Sequence, residues 1–268
     1  MNNTMPQNPA SRQDRDSKSA PRLQSMMAQL GIASRRGAAE LIKAGEVLLN
    51  GQRMSEPGFR VENPETATIT VSGENFVTRR DTPRPRTIML NKPAGLISSS
   101  SDIHGSTVFD CLSNISERLV CVGRLDRNSE GLLLLSNDGE LVNRLTHPRY
   151  GHVKEYNVVT IGNFDQSVLD FLNSPMKIDG YRIRPVQVDY LERLEDGARG
   201  QPRHLLRFIL REGRNRQIRN MCEQAGLRIQ MLTRLAINSL RLPSNLRTGQ
   251  WRDLTERDFE RLEQIPQG

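Results

Sequence analysis

Leu23, Met26, Met27 and Leu30 recur at i, i+3, i+4 and i+7, the spacing that lines one face of a helix. Gly31 follows as a residue able to take the left-handed turn past a helix end. Ser34 then offers a side-chain cap to a second helix, which carries Ala38, Leu41 and Ile42 and stops at Gly45. A capping box is missing, because Gly37 stands where Glu or Gln would be. At Val47-Leu48-Leu49 the period changes to that of a strand, and Asn50-Gly51 is a hairpin signal. Further short strands are expected around Phe59-Arg60-Val61 and Thr68-Ile69-Thr70-Val71.

From Thr78 to Thr87 the pattern lapses. Pro83 and Pro85, set among Arg79, Arg80, Arg84 and Arg86, predict an extended connector and a domain boundary. Ile88-Met89-Leu90 opens a second domain as a buried strand, Asn91 to Gly95 turns it, and Leu96 to Ser100 continues it. Leu132 to Leu135 is a second buried strand, with a tight turn at Ser136-Asn137-Asp138-Gly139. The chain is expected to bend at Gly131, before that strand. A short helix is predicted over Glu140–Leu145, ended by His147-Pro148. Lys154 to Val159 alternates as a strand, Ser167 to Leu172 reads as helix and Leu205 to Leu210 as strand. A further helix is expected from an Asn215 cap to Gly226, and a polar C-terminal helix after Arg252-Asp253-Leu254-Thr255. The expected organisation is a disordered tail at 1–20, a first domain at 21–77, a linker at 78–87 and a second domain at 88–264.

Charge then narrows the partner. Lys+Arg is 38 against Asp+Glu 31, a net +7, which favours a polyanion, nucleic acid before membrane surface. Aromatic residues at 4% argue against an aromatic stacking sheet. Cys111, Cys121 and Cys222 have no paired spacing, which points to a reducing compartment, and a cytoplasmic location is expected. No apolar run is long enough to span a membrane, and Asp14 and Asp16 in the tail count against a transit peptide. His104, His147, His152 and His204 are scattered without a carboxylate cluster, so no metal site is expected. A strand, not a helix, precedes Arg211–Arg219, which argues against a DNA-reading helix-turn-helix.

Two segments carry candidate chemistry. In Gly123-Arg124-Leu125-Asp126-Arg127, one acid lies between two arginines ahead of Ser129 and Gly131. A nearby cation favours the carboxylate form, which suits a nucleophile or base better than an acid. A plain ion pair or turn residue would look the same, so the segment alone leaves both readings open. In the second, Arg211, Arg214, Arg216 and Arg219 crowd a helix start, with Arg216 and Arg219 on one face. So many cations near so little acid predict an anionic partner. In the first domain, Arg22, Arg35, Arg36 and Lys43 interrupt the apolar stripes, and Arg35-Arg36 at a helix N-terminus suits phosphate.

Leu30-Gly31, Ala33-Ser34-Arg35-Arg36, Leu41-Ile42, Gly45, Val47 and Asn50-Gly51 together resemble the S4 RNA-binding domain, with Gly37 a departure from its usual bulkier residue. In the second domain, Asn91-Lys92-Pro93 with Gly95, the Asp126 segment, Lys154-Glu155-Tyr156, Glu212 to Arg219 and Gly249 to Thr255 resemble the pseudouridine synthases. The S4-like unit and Arg214-Asn215-Arg216-Gln217-Ile218-Arg219 resemble the branch that modifies ribosomal RNA at single sites. The resemblance implies an α+β catalytic domain, a mixed and mainly antiparallel sheet with a cleft across it. It also implies isomerisation of uridine in RNA to pseudouridine, with neither metal nor organic cofactor. Asp126 matches the essential carboxylate, Arg219 its partner, Tyr156 the ring beneath uracil and Arg124 the arginine that fills the RNA stack when the uridine leaves. Lys154, Arg214, Arg216, Gln217, Asn91 and Lys92 are expected to shape the cleft and its RNA contacts. The expected partner is ribosomal RNA, free or in a subunit precursor, bound by a monomer, with no DNA and no membrane. His147-Pro148-Arg149 and Trp251 to Thr255 lean toward the large-subunit enzymes. A small-subunit enzyme and a non-catalytic RNA-binding assembly factor are the alternatives.

Overall fold

A computed structural model of the chain describes residues 20–77, 85–99 and 105–266. The tail before Ala20, linker arginines Arg79, Arg80 and Arg84, and His104 lie outside the described residues. The chain divides into two compact units, one up to the linker and one from Pro85 onward.

In the first unit α1 (Leu23–Gln29) and α2 (Arg35–Lys43) pack beside a four-stranded sheet. Its strands β1 (Val47–Leu49), β2 (Gln52–Met54), β3 (Thr68–Val71) and β4 (Glu74–Val77) lie in the order β2-β1-β3-β4. The apolar stripe predicted from spacing does close the core: Leu23, Met26, Met27, Ala38 and Ile42 are buried with Val47 and Ile69. Ser34 Oγ accepts from Gly37 N at 3.0 Å, the expected cap. Gly31 and Gly45 end the two helices with φ of +76° and +73°. The strand expected around Phe59-Arg60-Val61 is absent; Arg60 makes only an isolated bridge to Arg22. Its neighbours' backbone groups go elsewhere, Leu23 N to Phe59 O at 2.8 Å and Val61 N to Pro21 O at 3.0 Å. That pairing ties down the entry to α1 instead of extending the sheet.

The second unit is built on a nine-stranded mixed sheet. Its strands are β5 (Thr87–Lys92), β6 (Val120–Val122), β7 (Glu130–Ser136), β8 (Lys154–Ile161), β11 (Gln187–Leu194), β12 (Arg203–Leu210), β13 (Arg228–Ile237), β14 (Leu240–Arg241) and β15 (Trp251–Asp253). A separate small hairpin pairs β9 (Lys177–Ile178) with β10 (Tyr181–Arg182). The main order is β11-β12-β8-β13-β7-β5-β15, with β6 on β7 and β14 on β13. The β13–β7 pair is parallel and every other pair of the sheet is antiparallel. Helices α3 (Gly139–Thr146), α4 (Gln166–Asn173), α5 (Gln217–Gln224) and α6 (Glu256–Glu263) cover it.

The unbroken Leu132–Leu135 run now has a cause. Leu132 and Leu134 pack with Leu141 and Leu145 of α3, whereas Leu133 and Leu135 face Ile88, Leu90 and Val108. A strand covered on both faces needs no polar alternation. Each fully buried leucine contributes about 1.5–3 kcal/mol. The turn predicted after this strand is instead the start of α3: Asp138 caps it through Glu140 N and Leu141 N. Leu96 to Ser99 is not a strand either; only Ile97 bridges to Thr107. Asn91 and Lys92, read as a turn, are still in β5. Arg86, read with the linker, belongs here, since its guanidinium pairs with Asp253 at 2.6 Å and Glu117 at 3.0 Å.

The sheet's end is closed by Arg252 and Asp258, 2.7 Å apart, inside a Thr255 capping box. Burial alone would push the Asp258 carboxyl up, but Arg252 and the Thr255 cap outweigh it and hold it at about 2 against an ordinary 3.8. A depressed carboxyl contributes stability above its unfolded pKa and loses it as pH falls through its folded one. Asp258→Asn should therefore cost about 2 kcal/mol at neutral pH, with the difference from wild type vanishing between about pH 4 and pH 2. Denaturant unfolding of both chains across that window checks it, and a cost independent of pH would refute it.

Candidate active site

The loop between β6 and β7 presents Asp126 at the mouth of a cavity of about 90 Å³. Ser98 Oγ, beneath the loop, donates to Leu125 O at 3.0 Å and accepts from Leu125 N at 3.2 Å. Gly95 N donates to Arg127 O at 2.7 Å, and Arg127 Nε returns a bond to Gly95 O at 3.0 Å.

Lys92 corrects an expectation. Placed by sequence among the RNA contacts, it is fully buried at 0% exposure. Its Nζ donates to Pro93 O at 2.9 Å, Arg127 O at 3.2 Å and Ser129 O at 2.8 Å. Burial pulls its pKa down to about 8, against the opposing pull of Glu130 and Asp126. The ammonium thus holds the Asp126 loop from inside. Asn91, likewise expected in the cleft, is instead tied to the loop between β14 and β15, its Nδ2 donating to Leu246 O at 2.8 Å.

Gly131 lies inside β7 and not at a bend before it. At φ +96° it lets the Arg234 backbone of β13 approach so closely that an added Cβ would sit 2.3 Å from Arg234 O. This contact sets the parallel β7–β13 pairing directly behind the Asp126 loop.

Opposite the carboxylate stands α5. Arg219 Nε donates to Asp126 Oδ2 at 3.2 Å, while its Nη2 donates to Asn128 O and Ser129 Oγ, both at 3.1 Å. One guanidinium therefore orients the acid and pins its loop. Arg216 Nη1 lies 4.0 Å from the same Oδ2, so both arginines reach the acid, although Arg216 precedes the helix and shares no helical face with Arg219. Asp126 is 33% exposed, open to a ligand while Arg219 is only 16% exposed.

Asn215 does not cap α5. Arg216 takes that position in the left-handed region, φ +51°, without a side-chain cap. Gln217 does the capping work in reverse: its Oε1 accepts from Arg214 N at 3.1 Å and its Nε2 donates to Glu212 Oε1 at 3.2 Å. Glu212, 7% exposed, also accepts from Arg184 N at 2.9 Å. Gln217 reaches the cavity wall, but both ends of its amide are spent on this loop. Arg214 lines the same cavity with its guanidinium 3.7 Å from the centre of the Tyr181 ring. A stack this close fixes an otherwise mobile side chain.

Tyr156 of β8 forms part of the cavity wall and packs between two apolar clusters. Arg124 is exposed at the rim, with no acceptor among the described residues. Lys154 is half-buried, its Nζ donating to His152 O at 3.1 Å, and burial lowers its pKa to about 8. On the first unit Arg22, Arg35, Arg36 and Lys43 are exposed, with Arg35 Nη2 donating to Ser25 Oγ at 2.8 Å. Sequence reasoning placed Asp126, Arg219, Tyr156, Arg124, Arg214, Arg216 and Gln217 in the set, and the structure brings these seven around one cavity. It missed Glu212, Tyr181 and Arg234 as structural partners. Arg234 had one usable signal, a charge directly ahead of the apolar run Leu235-Ala236-Ile237.

Comparison with known proteins identifies both units of the chain. Residues 86–224 match the RNA pseudouridylate synthase family and residues 21–66 the S4 domain. The ribosomal large subunit pseudouridine synthase B of Bacillus subtilis is 36% identical over 242 residues, covering 90% of this chain and 95% of that protein. The protein of the same name from Buchnera aphidicola subsp. Acyrthosiphon pisum is 30% identical over 246 residues, covering 91% and 96%. A crystal structure of pseudouridylate synthase superposes with a TM-score of 0.60 over 90% of this chain and 99% of that one, at 22% identity.

Proposed function

Because the chain belongs to the RNA pseudouridylate synthase family, with an S4 domain ahead of its catalytic unit, we propose that it isomerises a uridine of large-subunit ribosomal RNA, with Asp126 as the reacting carboxylate. The observation that carries the site assignment is Asp126 held open to the cavity and fixed from behind by Arg219. The target uridine leaves the RNA stack, which costs a few kcal/mol. Arg124, exposed and uncommitted at the rim, takes its place, a planar cation able to stack and bind phosphate. Tyr156 supports the uracil. Asp126 acts on the ribose, as nucleophile or as base, the glycosidic bond opens, uracil turns, and a bond forms from its C5 to the sugar. Nothing is oxidised or hydrolysed, and the C5 hydrogen is released as a proton.

The choice of the large subunit rests on the named relatives, two of which align over nine-tenths of the chain or more. We place the reaction in the cytoplasm, carried out by a monomer on free RNA or a subunit precursor. No helix among the described residues is long and apolar enough to cross a membrane. Mapping pseudouridines in rRNA from cells with and without this gene tests the reading. One position lost from large-subunit RNA is expected, and loss from small-subunit RNA alone would replace the substrate while keeping the activity.

Arg35, Arg36 and Lys43 are exposed on the S4 unit and serve binding. Replacing all three with Ala should lower RNA affinity at least tenfold and make its salt dependence shallower by about 2, near 0.7–0.9 per phosphate contact. The single-turnover rate at saturating RNA should fall far less. Filter binding across a salt series with parallel single-turnover kinetics measures both, and an unchanged slope would remove these residues from the interface.

A further inference from the structure

A second cavity, of about 140 Å³, adjoins the one at Asp126, and Arg124, Tyr156, Glu212 and Gly213 line both. Its wall also carries Lys154, Arg211 and Arg234, so four cations share it with one carboxylate, Glu212. Glu212 is already occupied by Arg184 N and Gln217 Nε2. Arg234 is the unusual member. It is 3% exposed, its Nε donates to Leu132 O at 2.7 Å, and its Nη2 is buried with no acceptor. Buried donors in folded proteins almost always have partners, and an exception calls for one. Lys154 spends one of its three donors on His152 O. Burial, with the charge of Arg234 adding to it, lowers its pKa to about 8, a strain that an anion would relieve. An unpartnered guanidinium donor and two unspent ammonium donors, from residues that line one cavity, suit an anionic ligand.

We propose that this second cavity binds a backbone phosphate of the RNA strand, next to the nucleoside held at Asp126, through Lys154 and Arg234. The proposal rests on the reading of this chain as an enzyme acting on RNA. The two cavities meet at Arg124 and Tyr156, so a strand that places one nucleoside at Asp126 carries its neighbouring backbone past Lys154. A guanidinium and an ammonium together suit the tetrahedral oxygens of a phosphodiester. The site would fix which way the strand runs through the cleft, a task that Asp126, Tyr156 and Arg219 do not perform.

The test is binding of the full-length chain to a large-subunit rRNA transcript across a salt series, for wild type, Lys154→Met and Arg234→Lys. Lys154→Met should weaken binding about tenfold and lower the slope of log affinity against log salt by about 0.7–0.9, one phosphate contact. Arg234→Lys keeps the charge and loses the fork, so affinity should fall with the slope kept. An unchanged slope in Lys154→Met that folds as wild type does would overturn the proposal. If Lys154→Met fails to fold, Arg234→Lys binding as tightly as wild type would overturn it. A site for free phosphate is a third outcome and also overturns it: inorganic phosphate would then raise the melting temperature of wild type but not of Lys154→Met, with RNA slopes equal. Tritium release by wild type from the same transcript, labelled at C5 of uridine, is read separately. A failed phosphate site with intact release leaves the enzyme reading standing.

Discussion

Asp126→Asn should abolish pseudouridine formation, by at least about 10⁴-fold, while RNA affinity stays within a few-fold of wild type. Asparagine keeps the shape of the side chain and one acceptor for Arg219, but it has no anion to use as nucleophile or base. In the proposed function the RNA contacts come from other residues, Arg124 at the rim and the S4 unit, so binding should persist. Stability should change by no more than about 1 kcal/mol, because Asp126 is 33% exposed and water screens the pair. Arg219→Ala should be nearly as damaging to turnover. Its guanidinium holds the acid at 3.2 Å and the loop through Asn128 O and Ser129 Oγ at 3.1 Å, so its loss frees both. The double variant should then be little worse than either single one, as expected of groups that act as one unit. Single-turnover rates for the three variants, with affinity measured alongside, decide this. Strict additivity would mean that Arg219 and Asp126 work separately.

Gly131→Ala should be the most destabilising small substitution in the catalytic unit, by about 3 kcal/mol or more. Two costs combine. At φ +96° an L-residue is strained whatever surrounds it, and the new Cβ would meet Arg234 O at 2.3 Å and Arg234 N at 2.9 Å. Those are backbone atoms of β13, which cannot retreat without opening the parallel register of Thr233 with Glu130 and Arg234 with Gly131. The damage reaches the site, because Ser129 and Glu130 lead into this contact and Lys92 holds Ser129 O at 2.8 Å. Denaturant midpoints for wild type and Gly131→Ala measure the cost. A loss below about 1 kcal/mol would show that β13 yields and that the close approach is not a constraint.

Much of the fold was legible where one element answers to one local rule. The α1 stripe, the Ser34 cap and the Asn50-Gly51 hairpin need nothing beyond their own few residues. The buried leucine run of β7 was also readable, though not that two separate layers cover it. The ten-residue strand β13 was missed. Its pairing with β8 shifts register between Ile229 and Met231 and again between Arg234 and Ala236, and each shift breaks the period of two. The β4 strand was missed as well, since Ser72-Gly73 is a weaker turn signal than Asn50-Gly51. Asn215 looked like the better cap for α5, but the Gln217 side chain organises that loop from inside and leaves Arg216 in the left-handed position.

The site shows the same division. Helical spacing put Arg216 and Arg219 on one face; in the structure Arg216 precedes the helix in the left-handed region, and yet both side chains reach Asp126. That the acid lies 93 residues before Arg219 came only from motif resemblance, because no local pattern encodes it. Lys92 was misread for the converse reason. A lysine before a proline looks like an exposed loop residue, and its burial depends on two carbonyls from more than thirty residues away.

Tritium release is the most direct test of the account, since a new bond at C5 of uracil must displace the hydrogen there. Large-subunit rRNA carrying C5-tritiated uridine is incubated with wild-type chain and with Asp126→Asn under single-turnover conditions. Wild type should release tritium from a single uridine, and Asp126→Asn should bind the RNA and release none above background. Release by Asp126→Asn at a rate near wild type, with equal binding, would contradict the assignment of this carboxylate and the mechanism built on it.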